Sequence, residues 1–98
     1  MLTPEGRVKA EIRKYLKEIG AYQLWPVPSG RGKSGVDVHG VYRGRGFAIE
    51  IKAEDRPPVG TEREESVLKA VNTAGGLGIC VNSLAALKQW WRDVFGEK

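Results

Sequence analysis

Asp37, Glu50 and Lys52 are the residues whose types and spacing could do chemistry together. Two carboxylates supply hard oxygen ligands of the kind Mg²⁺ takes alongside phosphate and water. A neighbouring ammonium can hold or activate a water, or stabilise negative charge on a phosphate. The same residues also suit a plain cross-strand ion pair, Asp37 with Lys52 on a solvated face, worth ~0.2–1 kcal/mol. Both readings require the three to share a face.

The stretch 36–53 puts them on one. Two apolar-alternating runs flank Arg43-Gly44-Arg45-Gly46, which reads as a β-hairpin with Gly44 opening a type II′ loop at Gly44-Arg45. That turn sets Arg43 opposite Gly46, and a four-residue loop from Arg43 to Gly46 gives the same register, so Asp37 faces Lys52 and His39 faces Glu50. Cross-strand partners share a face, as do residues two apart along a strand. Asp37, Glu50 and Lys52 therefore project to one side, and Val36, Val38, Ile49 and Ile51 to the other, which is apolar enough to be core. A three-residue loop would break this parity and pair Val38 with Glu50. His39 shares the face of Glu50, but a lone strand histidine reads first as a ladder residue and stays outside the catalytic set.

The flanking elements follow from caps and periodicity. Thr3-Pro4 is a helix start, a capping hydroxyl followed by proline at the first helical position. Val8, Ile12, Tyr15, Leu16 and Ile19 form an amphipathic stripe that ends at Gly20. Glu5 lies in the first turn, where a negative charge favours the helix dipole in any protein. Residues 21–26 suit a short or edge strand ending at proline, with at most one of Tyr22 and Trp25 facing the core. Thr61-x-x-Glu64 is a capping box for a second helix, with Val67, Leu68 and Val71 as its stripe and Gly75-Gly76 as its stop. Residues 77–82 read as a buried strand beside the hairpin. Ser83 opens a last helix with Leu84, Leu87, Trp90, Trp91 and Phe95 as apolar positions. Adjacent tryptophans cannot both centre one stripe, so an exposed one is expected, making this helix a candidate dimer contact.

Residues 28–35 form a loop rich in glycine and cations. Gly-Lys-Ser at 32–34 ends like a P-loop, but Val27 stands where the first glycine belongs and a strand pattern follows, which excludes nucleotide triphosphate hydrolysis. Ser29, Arg31, Lys33 and Ser34 are instead candidate contacts to nucleic-acid phosphates, the alternative being a plain flexible loop. Arg43 and Arg45 in the hairpin turn join them.

The chain has 98 residues, 41% hydrophobic and 29% charged, with net charge +4. That suits one small domain over 1–98 and a polyanionic partner. Basic residues crowd the first helix and the loops at 31–33 and 43–45, while acidic ones gather at Glu54-Asp55 and Glu62-Glu64-Glu65. No run approaches the ~18 apolar residues of a membrane span, and the first residues lack a signal-peptide layout. A cytoplasmic protein of a bacterial host, or one encoded by a phage or prophage, is expected. The single cysteine, Cys80, permits no internal disulfide and, with no base near it in sequence, reads as buried rather than catalytic.

Asp37, then a hairpin, then Glu50-Ile51-Lys52 resembles the PD-(D/E)xK nuclease signature. The chain is more particularly similar to a stand-alone VRR-NUC domain of phage and bacterial genomes. The resemblance runs from Leu2 to Ser83 through Thr3-Pro4-Glu5, Ile19-Gly20-Ala21-Tyr22, Gly32-Lys33-Ser34-Gly35-Val36-Asp37, Tyr42-Arg43-Gly44-Arg45, Ala48 to Ala53 and Ala74-Gly75-Gly76. It implies an α/β fold with a restriction-endonuclease-like αβββαβα core, a mixed sheet flanked by helices. It implies a metal-dependent, structure-selective DNA endonuclease, a homodimer resolving Holliday junctions. Asp37 and Glu50 would hold Mg²⁺ or Mn²⁺ with the carbonyl of Ile51. Lys52 would orient or activate the attacking water, and Glu5 would support the metal. A flap or linear-DNA nuclease, and an inactive DNA-binding module of the same fold, are the alternatives. Glu64 departs from the pattern, which has glutamine near this position. Its charge would repel phosphate unless neutralised, for which Arg63 is one candidate.

Overall fold

Local sequence sets the ends of the first helix. In the computed structural model, which describes residues 2–27 and 35–96, α1 (Pro4–Glu18) starts with the Thr3 hydroxyl accepting the Gly6 N–H at 2.9 Å. Proline stands at N1, where no intrahelical donor is lost. Val8, Ile12 and Leu16 are fully buried, and the helix stops at Gly20, whose φ of 77° is left-handed.

The chain continues as β1 (Tyr22–Leu24), β2 (Val38–Tyr42), β3 (Arg45–Ile51), α2 (Glu62–Thr73), β4 (Leu77–Val81) and α3 (Leu84–Phe95). This is the expected αβββαβα order. The four strands make one mixed sheet in the order β1-β2-β3-β4, antiparallel through β3, with β4 parallel to β3. The β3–α2–β4 crossover supplies the parallel pairing, which a tight turn cannot.

The hairpin register differs from the expected one. The turn is Arg43-Gly44, with φ of 49° and 80°, and Tyr42 pairs with Arg45 and Val38 with Ile49. Positive φ at both central residues is the type I′ geometry, whose twist matches that of the strands. Packing favours this register. Phe47 lies opposite Gly40, and a Cβ on Gly40 would overlap the Phe47 ring and the Tyr22 carbonyl oxygen. The expected register would have set Phe47 opposite Tyr42, a second large aromatic. The pairing slips by two residues, so parity survives and each side chain within β2 and β3 keeps its face. His39 consequently faces Ala48 rather than Glu50, and Asp37, one residue ahead of β2, meets the Ile51 N–H instead of standing opposite Lys52. Val36 is a further correction. It packs with Ala48 and Leu68, away from Val38, because β2 begins only at Val38 and alternation does not extend upstream.

Helices α1 and α3 cover one face of the sheet. The core there contains Val8, Ile12, Leu16, Ile49, Ile51 and Leu87 around a fully buried Trp91. The rings of Tyr15, Tyr42, Phe47, Trp90 and Phe95 surround Trp91 at centroid distances between 4.8 and 6.2 Å. Trp90 is half-buried against this same core, so it is not the exposed aromatic expected of a dimer contact. Helix α2 covers β3 and β4 on the other face over a smaller cluster of Val36, Ala48 and Leu68. Strand β4 lies at the sheet edge, and of its residues only Val81 is buried. Among the described residues no helix is long and apolar enough to cross a membrane.

Candidate active site

Among the described residues, two charged side chains are buried: Asp37, 5% exposed, and Glu50, 2% exposed. Burying a carboxylate is costly unless it is paired and hydrogen-bonded, so their partners matter. Asp37 stands just ahead of β2, where its Oδ2 accepts the N–H of Ile51 at 2.8 Å. It thereby ties the start of one strand to the centre of the Glu50-Ile51-Lys52 triplet. Its Oδ1 lies 3.0 Å from Nζ of Lys9 on α1, and the same ammonium lies 2.9 Å from Glu5 Oε2. Across the site, Lys52 Nζ lies 3.2 Å from Glu50 Oε2 and 2.9 Å from Glu64 Oε1.

The result is two alternating rows of charge, Glu5–Lys9–Asp37 and Glu50–Lys52–Glu64. Each sign is held by its neighbours. Burial acts to lower the Lys52 pKa, but hydrogen bonds to Glu64 and Glu50 and the charge of both outweigh it, and the ammonium is held above its usual range. Lys9 is raised in the same way, with burial opposed by Glu5 and Asp37. Burial acts to raise Glu64, but the Thr61 N–H and then the Lys52 ammonium overcome it and bring the carboxyl down to about 2. That Thr61 N–H donates to Glu64 Oε1 at 2.8 Å as half of the capping box that starts α2, so one carboxylate serves both the helix and the site. Lys52, not the exposed Arg63, neutralises Glu64. Burial, and next the charge of Glu50, push the Cys80 thiol up to about 12, which leaves no thiolate for catalysis near neutral pH.

The structure brings Asp37, Glu50 and Lys52 together and adds Glu5 through Lys9. Glu5 and Lys52 also line a cleft of about 330 Å³ together with Thr3 and Arg56. Lys9 and Arg56 were missed by sequence reasoning. The i, i+4 spacing of Glu5 and Lys9 is a helix-pair signal, but nothing local shows that Lys9 reaches Asp37. Arg43 and Arg45 are not beside the carboxylates. They sit at the far end of the hairpin, about 17 Å from Glu50 by strand rise. There Arg43 lies over the Tyr42 ring at 5.4 Å and Arg45 Nη2 donates to the Gly75 carbonyl at 3.3 Å. Ser29, Arg31, Lys33 and Ser34 lie outside the described residues.

Among the described residues no three His, Cys, Asp or Glu side chains group as a metal site. Asp37 and Glu50 supply two carboxylates, the donor type and number that a Mg²⁺-type ion takes alongside several waters, each here paired with a lysine. Ile51 enters the site by its N–H, bound to Asp37. No protein-family model matches the chain, and no curated protein or solved structure matches it either.

Proposed function

We propose that the chain is a metal-dependent deoxyribonuclease of the PD-(D/E)xK type, built on a restriction-endonuclease-like core and similar to VRR-NUC domains. The observation that carries this reading is the burial of Asp37 and Glu50 beside Lys52, tied together by the Asp37–Ile51 hydrogen bond. Two buried carboxylates cost stability that a purely structural site could avoid with apolar residues.

Asp37 and Glu50 would hold Mg²⁺ or Mn²⁺, with the Ile51 carbonyl as a further ligand by resemblance. The ion would lower the pKa of a bound water and neutralise charge at the phosphate. As an ammonium, Lys52 has no lone pair to take a proton, so it orients the attacking water and stabilises charge on the phosphate oxygens. Glu5, across the cleft, supports the metal or its water through the ion pair with Lys9. Arg56, which lines the cleft together with Asp55, is a cation there that would meet a substrate phosphate. Symmetric cutting of a four-way junction would need two such sites, which a two-fold dimer supplies.

The ion pairing supports a second reading. Each carboxylate already has a lysine partner, so the two rows could serve as architecture that fastens α1 and α2 to the sheet of a DNA-binding module. One experiment separates the two. A labelled four-way junction, a flap and a blunt duplex are incubated with Mg²⁺ or Mn²⁺, beside Asp37→Asn and Lys52→Ala. Metal-dependent cutting of the junction, reduced by at least ~10²-fold in both variants, is the expected result. Binding without cutting in either metal would leave the architectural reading in its place.

A further inference from the structure

Helix α2 packs on β3 and β4, and among the described residues no helix covers the same face of β1 and β2. Three apolar side chains lie exposed on that open half: Tyr22 at 65%, Leu24 at 55% and Val41 at 48%. Register places them together, since Tyr22 pairs with Val41 and Leu24 with His39, and paired residues share a face. It is also the face of Glu50, because His39 pairs with Ala48, two residues before it. Beside this patch a cleft of about 530 Å³ runs between the hairpin and the end of α2, lined by His39, Gly46, Val71, Gly75 and Gly76.

Two glycines shape the cleft differently. A Cβ on Gly76 would come within 2.8 Å of Val71 and 3.1 Å of the Gly46 carbonyl, so the turn must be glycine to approach the hairpin. A Cβ on Gly46 would meet only the Gly40 carbonyl, at 3.8 Å. The floor of the cleft is therefore open because residue 46 has no side chain, and packing does not demand that it lack one.

Resting on the deoxyribonuclease reading, we propose that this open half of the sheet holds an unpaired nucleotide of the substrate strand. Its base lies against Tyr22 and Val41, and its edge enters the cleft over Gly46. The place is roughly 13 Å along the strands from Glu50, within a few nucleotides of the cut. Arg43 and Arg45 at the hairpin tip supply cations for the flanking phosphates. A second copy of the chain suits the patch less well. Its three side chains expose on the order of 300 Å², against ~800 Å² per partner in a stable complex. The nucleotide must be unpaired, because both faces of a base within a duplex are covered by its stack neighbours.

The test is equilibrium binding in Ca²⁺, by fluorescence anisotropy, of a blunt duplex and of the same duplex with a short single-stranded tail. Wild type should bind the tailed duplex at least about fivefold more tightly. Tyr22→Ala and Gly46→Val should each erase that gain while leaving the blunt-duplex affinity unchanged, and Tyr22→Phe should keep it. Tyr22 is exposed and a Cβ on Gly46 makes only an ordinary van der Waals contact, so intrinsic tryptophan fluorescence should report an intact fold. A tail-dependent gain that survives Tyr22→Ala overturns the proposal, as does a wild type that ignores the tail. In either case metal-dependent cutting would leave the deoxyribonuclease reading standing. A wild type that binds neither DNA removes both. If Tyr22→Ala instead converts a dimer to a monomer by light scattering, the patch is an interface between copies and the proposal falls.

Discussion

Glu64 carries a charge where the nuclease pattern that the chain resembles has glutamine, and the structure gives that charge two tasks. It closes the capping box of α2 and pairs with Lys52. Its pKa of about 2 lies below the ordinary 4.5, so its stabilising effect is complete above pH 4.5 and fades as pH falls towards 2. Lys52 is shifted the other way. Its contribution is complete below the ordinary 10.5 and is lost only as pH rises through the raised value, so the pair is intact at neutral pH. Glu64→Gln keeps an acceptor for Thr61 but removes the charge. At pH 7 it should be less stable than wild type by ~1 kcal/mol in urea titrations. The gap should close between pH 4.5 and 2, and a gap indifferent to pH would mean that the charge is not its source. At this scale parity along β3 put Glu50 and Lys52 on one side, whereas Asp37 stands ahead of β2 and reaches the triplet through the Ile51 N–H rather than through strand pairing. Lys9 and Arg56 stayed hidden because their nearness to the site depends on where α1 and the loop after Lys52 come to rest.

The starts of all three helices and the stops of α1 and α2 were legible, since caps are written in three or four adjacent residues; the Gly96 stop of α3 was not anticipated. Nor was the hairpin turn. Arg43-Gly44-Arg45-Gly46 offers glycine to either of two tight turns, and the deciding contact, Phe47 over Gly40, is not local. The apolar run of β4 likewise marked a strand without revealing that it closes the sheet at its edge. The selected turn holds Arg43 at φ 49°, a left-handed conformation that asparagine tolerates better than arginine. Asn-Gly is also the preferred type I′ pair. Arg43→Asn should therefore raise stability by up to ~1 kcal/mol in chemical denaturation, less the stacking lost from Tyr42. It should also weaken binding of DNA at low salt and flatten the salt dependence. A variant that is more stable yet binds DNA as well as wild type would remove Arg43 from the interface.

Across the whole molecule the core is lopsided, and the candidate site lies towards its thin side. Three fully buried residues anchor α1, and Leu87 and Trp91 anchor α3, whereas α2 has Leu68 alone. Much of what holds the start of α2 near the sheet is therefore the polar pair of Lys52 with Glu64. Regions with few buried apolar contacts open at lower free energy than the rest of the fold. Amides of α2 should accordingly exchange at least roughly tenfold faster than those of α1 and β3, a difference of ~1.4 kcal/mol. Lys52→Ala should speed α2 further while leaving α1 unchanged. Such an arrangement has a use in the proposed chemistry. Lys52 can turn from Glu64 to a substrate phosphate at the cost of loosening one helix, without disturbing the aromatic core beneath the sheet. Uniform protection across the three helices, or a Lys52→Ala effect shared equally by α1, would show that α2 is not separately poised and that the ion pair does not govern it.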